Sequence, residues 1–432
     1  VKAVVLAAGQ GSRMWPLAET RPKHLLPIAG KPLVGHVLSA LAANSITDIL
    51  LVVGFRKEMI RAALGSGAAF GVHLKYLDQT KLTGTASAVN VARGDLDEEQ
   101  FLVLNGDLIV EPRAIKTVID KAREYSVVLG LVKMDAPSEY GIADLDGDRV
   151  MRILEKQLGL REGWVNSGIY MLTDRVFKAI DKTKPSKRDE YEITSTLQLM
   201  VKQGVDVRSA TINAADWMDI GRPWELLCAN ERVLLKLPHN IKGLVEPGAV
   251  VKEPVWLEES ATVRSGSRIE GPVYVGRESI VGPNARIRAF TSIEDGVHVG
   301  ANCDVKNSII MRHTKVPHLS YIGDSIIGEE CNLGACTITA NLRFDEKTIR
   351  IMIKGKRVET KRTKLGAIIG DRVKTGIHTS IMPGVRIGSE AIIGPGAVID
   401  NDVHSREKIV VKQSFLRRPV SNADHRLKSS RV

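Results

Sequence analysis

Apolar positions follow two different rules along this chain, and the change between them falls near residue 240. Before it, short apolar runs alternate with segments whose apolar residues recur every three or four positions. Lys2–Ala8, Ile49–Val53, Phe101–Leu104, Ser126–Val132 and Gly168–Leu172 predict strands. Pro32–Asn44, Ala86–Ala92, Ala114–Tyr125 and Ile193–Gln203 predict helices. Strands alternating with helices imply an α/β domain, a Rossmann-like and mostly parallel sheet covered on both faces. Pro223–Leu235 predicts one more helix, which Leu237-Pro238-His239-Asn240 ends.

Past that break the period is six. Val245, Val251, Leu257, Val263, Ile269, Val275, Val281, Ile287, Ile293, Val299, Val305 and Met311 stand six apart. The phase slips at Ile322, Ile327, Leu333 and Ile338, and the period resumes at Ile369, Ile381, Ile387, Ile393 and Ile399. A glycine often follows the apolar residue, as at Gly276, Gly300 and Gly388. This predicts a parallel β-helix in which each hexad gives one flat face and one corner, roughly seven coils in all. The residue two before each apolar position must be small enough for a corner. Ala261, Ser267, Cys303, Cys331 and Cys336 stand there, so three of the four cysteines read as corner fillers. The expected division is 1–228 for the first domain, 229–244 for a linking helix and junction, 245–411 for the β-helix and 412–432 for a basic tail. The hexads stop after Asn341, and a lysine- and arginine-rich excursion occupies 342–365. It reads either as a solvated hairpin or as a clamp for the phosphates of coenzyme A.

Composition narrows the class. With 44% hydrophobic residues and a mean hydropathy of −0.04, the chain can build full cores and is not a disordered or collagenous one. No apolar run is long enough to cross a bilayer, so no membrane partner is expected. The first strand leads straight into a glycine loop without a basic stretch or cleavage site, so no secretion signal is expected either. Four cysteines without a C-x-x-C pair suit a reduced, cytoplasmic setting. The net charge of +11 attracts anions. With only 4% aromatic residues, stacking surfaces for single-stranded nucleic acid are scarce, which favours phosphorylated small molecules over nucleic acid.

The candidate chemistry begins after the first strand, in Gly9-Gln10-Gly11-Ser12-Arg13. Glycine N–H groups can wrap phosphate oxygens, and Arg13 and Lys23 supply charge. Met14 stands where a dinucleotide fingerprint would have its third glycine. Two apolar segments end in acids: Phe101–Asn105 runs on to Asp107, and Trp217-Met218 to Asp219. Ligands bind beyond the carboxyl ends of such strands, and two carboxylates there could hold one Mg²⁺.

Leu6-Ala7-Ala8-Gly9-Gln10-Gly11-Ser12-Arg13 with Arg21-Pro22-Lys23 resembles the signature of sugar-1-phosphate nucleotidylyltransferases. Joined to hexapeptide repeats, residues 1–410 resemble the bifunctional N-acetylglucosamine-1-phosphate uridylyltransferase/glucosamine-1-phosphate N-acetyltransferase family. The resemblance implies a left-handed β-helix and the transfer of a nucleotidyl group from UTP or dTTP to a sugar-1-phosphate. It places the nucleotide on Leu6, Ala8, Gly9, Gly11, Gln79, Gly84 and Thr85, and catalytic cations at Arg13 and Lys23. The metal falls on Asp107 and Asp219, and the sugar phosphate on Asn105, Gly141, Glu155, Lys156 and Asn166. Trp217-Met218-Asp219-Ile220-Gly221 is similar to glucose-1-phosphate thymidylyltransferases instead, which leaves both nucleotide and sugar open.

In the second half, Pro317-His318-Leu319-Ser320-Tyr321-Ile322-Gly323-Asp324, Asn332-Leu333-Gly334-Ala335 and Thr337–Asn341 resemble the same family's acetyl-transfer strings. The resemblance makes His318 the base that deprotonates the amine, with acetyl-CoA as cosubstrate. Tyr321, Asn332 and Asn341 would contact the sugar, and Arg288 and Lys306 its phosphate. Lys347 or a lysine near Lys364 would match a further acceptor-site lysine. A homotrimer with acetyl sites between subunits is implied. The alternative is a nucleotidylyltransferase whose β-helix serves assembly only.

Overall fold

The computed structural model describes residues 1–96, 99–135, 140–155, 161–186 and 189–420. The first half builds a nine-stranded sheet from β1 (Ala3–Ala7), β2 (Asp48–Val53), β3 (His73–Asp78), β4 (Phe101–Asn105), β6 (Val127–Asp135), β7 (Gly141–Asp146), β8 (Arg149–Glu155), β9 (Glu162–Leu172) and β10 (Val207–Ile212), in the order β3-β2-β1-β4-β9-β6-β10-β8-β7. Short β5 (Leu108–Val110) pairs with β11 (Trp217–Asp219) beside it. From β3 to β4 all neighbours are parallel; β9 then enters antiparallel, and the far half is mixed. Helices α1 (Leu33–Ala42), α2 (Lys57–Leu64), α3 (Thr85–Val91), α4 (Pro112–Ala122), α5 (Arg175–Ile180) and α6 (Ile193–Lys202) cover the two faces, each over its own apolar core. The fully buried strands read as unbroken apolar runs. Exposed or amphipathic ones, such as β3, β7 and β8, carry no such run and are silent in the sequence pattern.

Helix α7 (Pro223–Leu234) begins at a capping box in which the Glu225 carboxylate accepts the Arg222 N–H. The chain then winds into a left-handed β-helix of three parallel ladders with eight, nine and eight strands. Its axis is filled by one aliphatic residue per face. Stacked residues Leu257, Val275 and Ile293 are eighteen apart, but Ile310 and Ile327 follow at seventeen. This shorter coil corrects the six-residue count: Ile310, not Met311, lies inside. Likewise Thr339 is the inward residue and Ile338 is exposed, because the Thr339 hydroxyl takes the Gly323 N–H at 2.9 Å. Cys303 and Cys331 fill corners as expected; Cys336 does not, since buried Thr337 takes that corner and Cys336 is half-buried at a left-handed turn.

The two halves share a fourth apolar core. Met14, Leu17 and Trp224 of the first pack with Met311, Ile326 and Ile368 of the second. Polar contacts cross the same boundary. Arg21 bridges Glu329 and Asp371, the Asn230 amide donates to Phe290 O at 2.9 Å, and the Glu294 carboxylate accepts the Gly30 N–H at 3.1 Å. Among the described residues no helix is long and apolar enough to cross a membrane.

Candidate active sites

A cavity of about 1280 Å³ opens at the carboxyl ends of β1 and β4. Its floor is the turn after β1, where Gly9 faces open space and Gly11 adopts φ +68° against the Lys23 side chain. The left-handed φ favours glycine there, and an added Cβ would also crowd the Lys23 side chain at 3.1 Å. Arg13 lies on the short helical turn Ser12–Met14, its guanidinium beside Gly221. Leu6 and Ala8 also line the cavity, so the nucleotide-signature residues gather as expected.

The two acids meet. β5 and β11 pair Asp219 with Leu108, next to Asp107, and the Ile220 N–H donates to Asp107 O at 3.0 Å. Burial alone would raise the Asp107 carboxyl, but Lys23, in direct ion pair with it, brings the net shift down. Burial and then the charge of Asp107 push Asp219 up to about 7. Two close carboxylates, one of which resists ionising, form a donor set that a divalent cation would relieve. Among the described residues no group of three or more His, Cys, Asp or Glu side chains could hold a metal. Such a cation would therefore complete its shell with phosphate oxygens and water, as Mg²⁺ habitually does.

Gln79 is buried beside the helix that starts at Thr85. Its amide nitrogen donates to Gly84 O at 3.0 Å and to Ser87 Oγ at 2.8 Å, leaving only the carbonyl oxygen for a ligand. Gly84 has φ +114°, and a Cβ there would strike the backbone of Tyr191. The Thr85 hydroxyl accepts the Ile193 N–H at 2.9 Å, so the loop before α3 is pinned by the segment before α6.

The opposite wall carries the sugar-site expectations. Asn105 packs against Gly168, and Asn166 donates to Tyr170 Oη at 2.7 Å. Gly141 and Glu155 are register partners on β7 and β8. Lys156 lies outside the described residues. Asn105, Gly141 and Asn166 all line the cavity. Sequence reasoning missed His24, fully buried beside Lys23 and Asp107. Burial and the Lys23 charge push it down to about 3, so it packs there as a neutral ring.

It also missed a whole wall. The basic excursion forms a hairpin, β12 (Arg350–Ile353) and β13 (Lys356–Glu359), that lines this first-domain cavity through Lys354, Lys356, Arg357 and Lys361. The solvated-hairpin reading is thereby corrected: one flank is buried against the first domain and the other faces its cavity. The clamp-on-coenzyme A reading gains no support from this placement.

On the β-helix, the second set of residues divides between two faces. Arg288, Lys306, Tyr321 and Asn341 belong to one. There Asn341 donates to Asp324 Oδ2 at 2.5 Å and to Tyr321 Oη at 3.3 Å, with Lys306 3.4 Å from the same carboxylate. Burial and then Asp324 raise the Tyr321 phenol. His318 and Asn332 stand on the adjoining face, His318 exposed at the corner that leads to Tyr321. Lys347 is exposed on the excursion, its N–H on Asp345, and no described contact joins it to the Asp324 group.

These two sites, one on each half, define a transferase that handles phosphorylated compounds. Residues 2–235 match the nucleotidyl transferase family, 269–376 the GMPPB C-terminal domain and 366–401 the bacterial transferase hexapeptide (six repeats). The chain is 40% identical over 415 residues to the bifunctional protein GlmU of Methanocaldococcus jannaschii, covering 96% of this chain and 98% of that one. It is 39% identical over 408 residues to a bifunctional sugar-1-phosphate nucleotidylyltransferase/acetyltransferase of Sulfurisphaera tokodaii, covering 93% and 98%. It is also 33% identical over 334 residues to a glucose-1-phosphate thymidylyltransferase of Streptomyces griseus, covering 76% and 92%. The chain belongs to the nucleotidyl transferase family, within its bifunctional, two-domain GlmU branch.

Proposed function

We propose that the protein makes nucleotide sugars by two reactions: nucleotidyl transfer from UTP or dTTP to a sugar-1-phosphate, and N-acetylation of an amino-sugar-1-phosphate by acetyl-CoA. The observation that carries the first is the meeting of Asp107, Asp219, Lys23 and Arg13 at one glycine turn. A sugar-1-phosphate oxygen attacks the α-phosphorus in line and pyrophosphate leaves. The nucleophile is already an anion, so no general base is required, and the residues act by positioning and charge. Glycine N–H groups at Gly9 and Gly11 cradle the triphosphate, and Arg13 and Lys23 balance its charge. Asp107 and Asp219 would hold Mg²⁺, which when bound neutralises charge on the triphosphate and on the departing pyrophosphate. With its N–H₂ committed, Gln79 accepts from the imide N–H that uracil and thymine both present. Asn105, Gly141, Glu155, Lys156 and Asn166 take the sugar phosphate.

For the second reaction, His318 removes the proton from the sugar amine, which then attacks the thioester. Tyr321, Asn332 and Asn341 orient the sugar, Arg288 and Lys306 face its phosphate, and Lys347 adds a cation from a neighbouring copy in a homotrimer. The reading of the β-helix as a mere assembly module is disfavoured by the bifunctional names borne by full-length relatives of this chain. A crossed assay tests both: UTP and dTTP against glucose-1-phosphate and N-acetylglucosamine-1-phosphate for pyrophosphate release, and acetyl-CoA with glucosamine-1-phosphate for coenzyme A release. No pyrophosphate in any cell of the panel overturns the first activity. No coenzyme A at any pH overturns the second.

A further inference from the structure

The excursion from the β-helix is docked against the first domain. It leaves the coil after Asn341 and returns at Leu365, closed at its root by a bridge between Leu342 and Lys364. Ile349, Ile351 and Ile353 are buried in the core shared with Trp224 and Ile109 of the first domain. Just beyond the hairpin, Arg362 donates to Cys228 Sγ at 3.1 Å and pairs with Glu231 at 2.9 Å, both on α7. The hairpin's cations then differ by position. Arg350 is neutralised by Glu359 at 3.1 Å. Lys354, Lys356, Arg357 and Lys361 have no carboxylate partner among the described residues, and all four line the cavity that also contains Arg13, Lys23 and Asp107. Four unneutralised cations along one wall of a cavity create a strong positive field, and charge-assisted contacts to phosphate are the strongest use of it.

We propose that this hairpin is a binding element of the nucleotidyl-transfer site, supplied by the other domain, and that Lys354, Lys356, Arg357 and Lys361 hold phosphate oxygens of a reactant there. The inference rests on the nucleotidyl-transfer reading above and adds to it the residues that complete the phosphate site. The shared chemistry is a phosphoryl group, borne by the triphosphate, by the leaving pyrophosphate or by the sugar-1-phosphate. The two domains are then joined functionally as well as sterically: the β-helix carries part of the first site.

Calorimetric titration of the full chain with UTP, with inorganic pyrophosphate and with N-acetylglucosamine-1-phosphate, each separately, tests this. The variant is K354Q/K356Q/R357Q/K361Q, which removes four charges and leaves a polar side chain at each exposed position. We expect about tenfold or greater weakening of at least one ligand, which identifies the phosphate held, with coenzyme A release from acetyl-CoA unchanged. The charge-retaining K354R/K356R/R357K/K361R should restore binding, which a purely structural role would not require. Affinities within about twofold of wild type for all three ligands would overturn the proposal while leaving the transfer reading intact. Charge-dependent binding without pyrophosphate release by the wild type would overturn the transfer reading and keep the hairpin's role. A wild type that binds none of the three would overturn both.

Discussion

Single residues divide the labour at the first site in a way that local chemistry explains. Arg21 and Lys23 are two positions apart, yet Arg21 turns to Glu329 and Asp371 of the β-helix while Lys23 turns to Asp107. Replacing Asp107 with Asn keeps the shape but removes one of two carboxylates and strands Lys23. Pyrophosphate release should fall on the order of a hundredfold or more; an unchanged rate in the same assay would refute its role. Glu294 makes a pH prediction. Burial pushes its carboxyl up to about 7 in the folded protein, from an ordinary value of 4.5. The folded state therefore keeps a proton that the unfolded chain has released, and the protein loses stability as pH rises from about 4.5 to about 7. Glu294→Gln keeps an acceptor for the Gly30 N–H and removes the charge. Above pH 7 it should stabilise the fold by on the order of 1–3 kcal/mol, read as a higher Tm. A variant whose Tm follows the wild-type pH profile would count against this.

At the scale of elements, backbone geometry decides which substitutions the sites tolerate. Gly84→Ala would place a Cβ against the Tyr191 backbone at φ +114°. It should raise the KM for the nucleoside triphosphate and cost about 1–3 kcal/mol of stability; equal KM and Tm would show that the loop before α3 has room to yield. Elements also show what was readable beforehand. Buried β1 and β4, the six-residue period and the glycine turn were plain because burial on both faces, or one inward residue per hexad, leaves a strong apolar mark. The slip at Ile309-Ile310-Met311 was not, because three apolar residues in a row let the count land on any of them. Thr339 was missed because a buried hydroxyl satisfied by Gly323 is invisible to an apolar pattern. The hairpin's charge was obvious, but its destination depends on tertiary docking through Ile349, Ile351 and Ile353, which no local pattern announces.

Across the whole molecule, the boundary between halves is itself an apolar and ionic structure. Arg21→Ala would leave Asp371, almost fully buried, without its guanidinium. Losing one partner of a buried pair costs about 3–5 kcal/mol. We expect the melt to resolve into two transitions as the halves uncouple; a single transition at the wild-type Tm would deny the bridge any weight. The sequence singles out residues on the glycine turn and at strand ends, and the structure brings them to one cavity. The sequence does not assign the hairpin wall to that cavity, because that wall lies more than three hundred residues downstream of the glycine turn.

That shared seam has a practical corollary for anyone dissecting the protein. A gene trimmed after α7, the cut that the repeats invite, would lay bare Met14, Leu17 and Trp224 and orphan Arg21. The fragment would offer a sticky patch to its neighbours and a glycine turn robbed of its backing. Weak turnover from such a fragment would reflect the amputation, not the native enzyme.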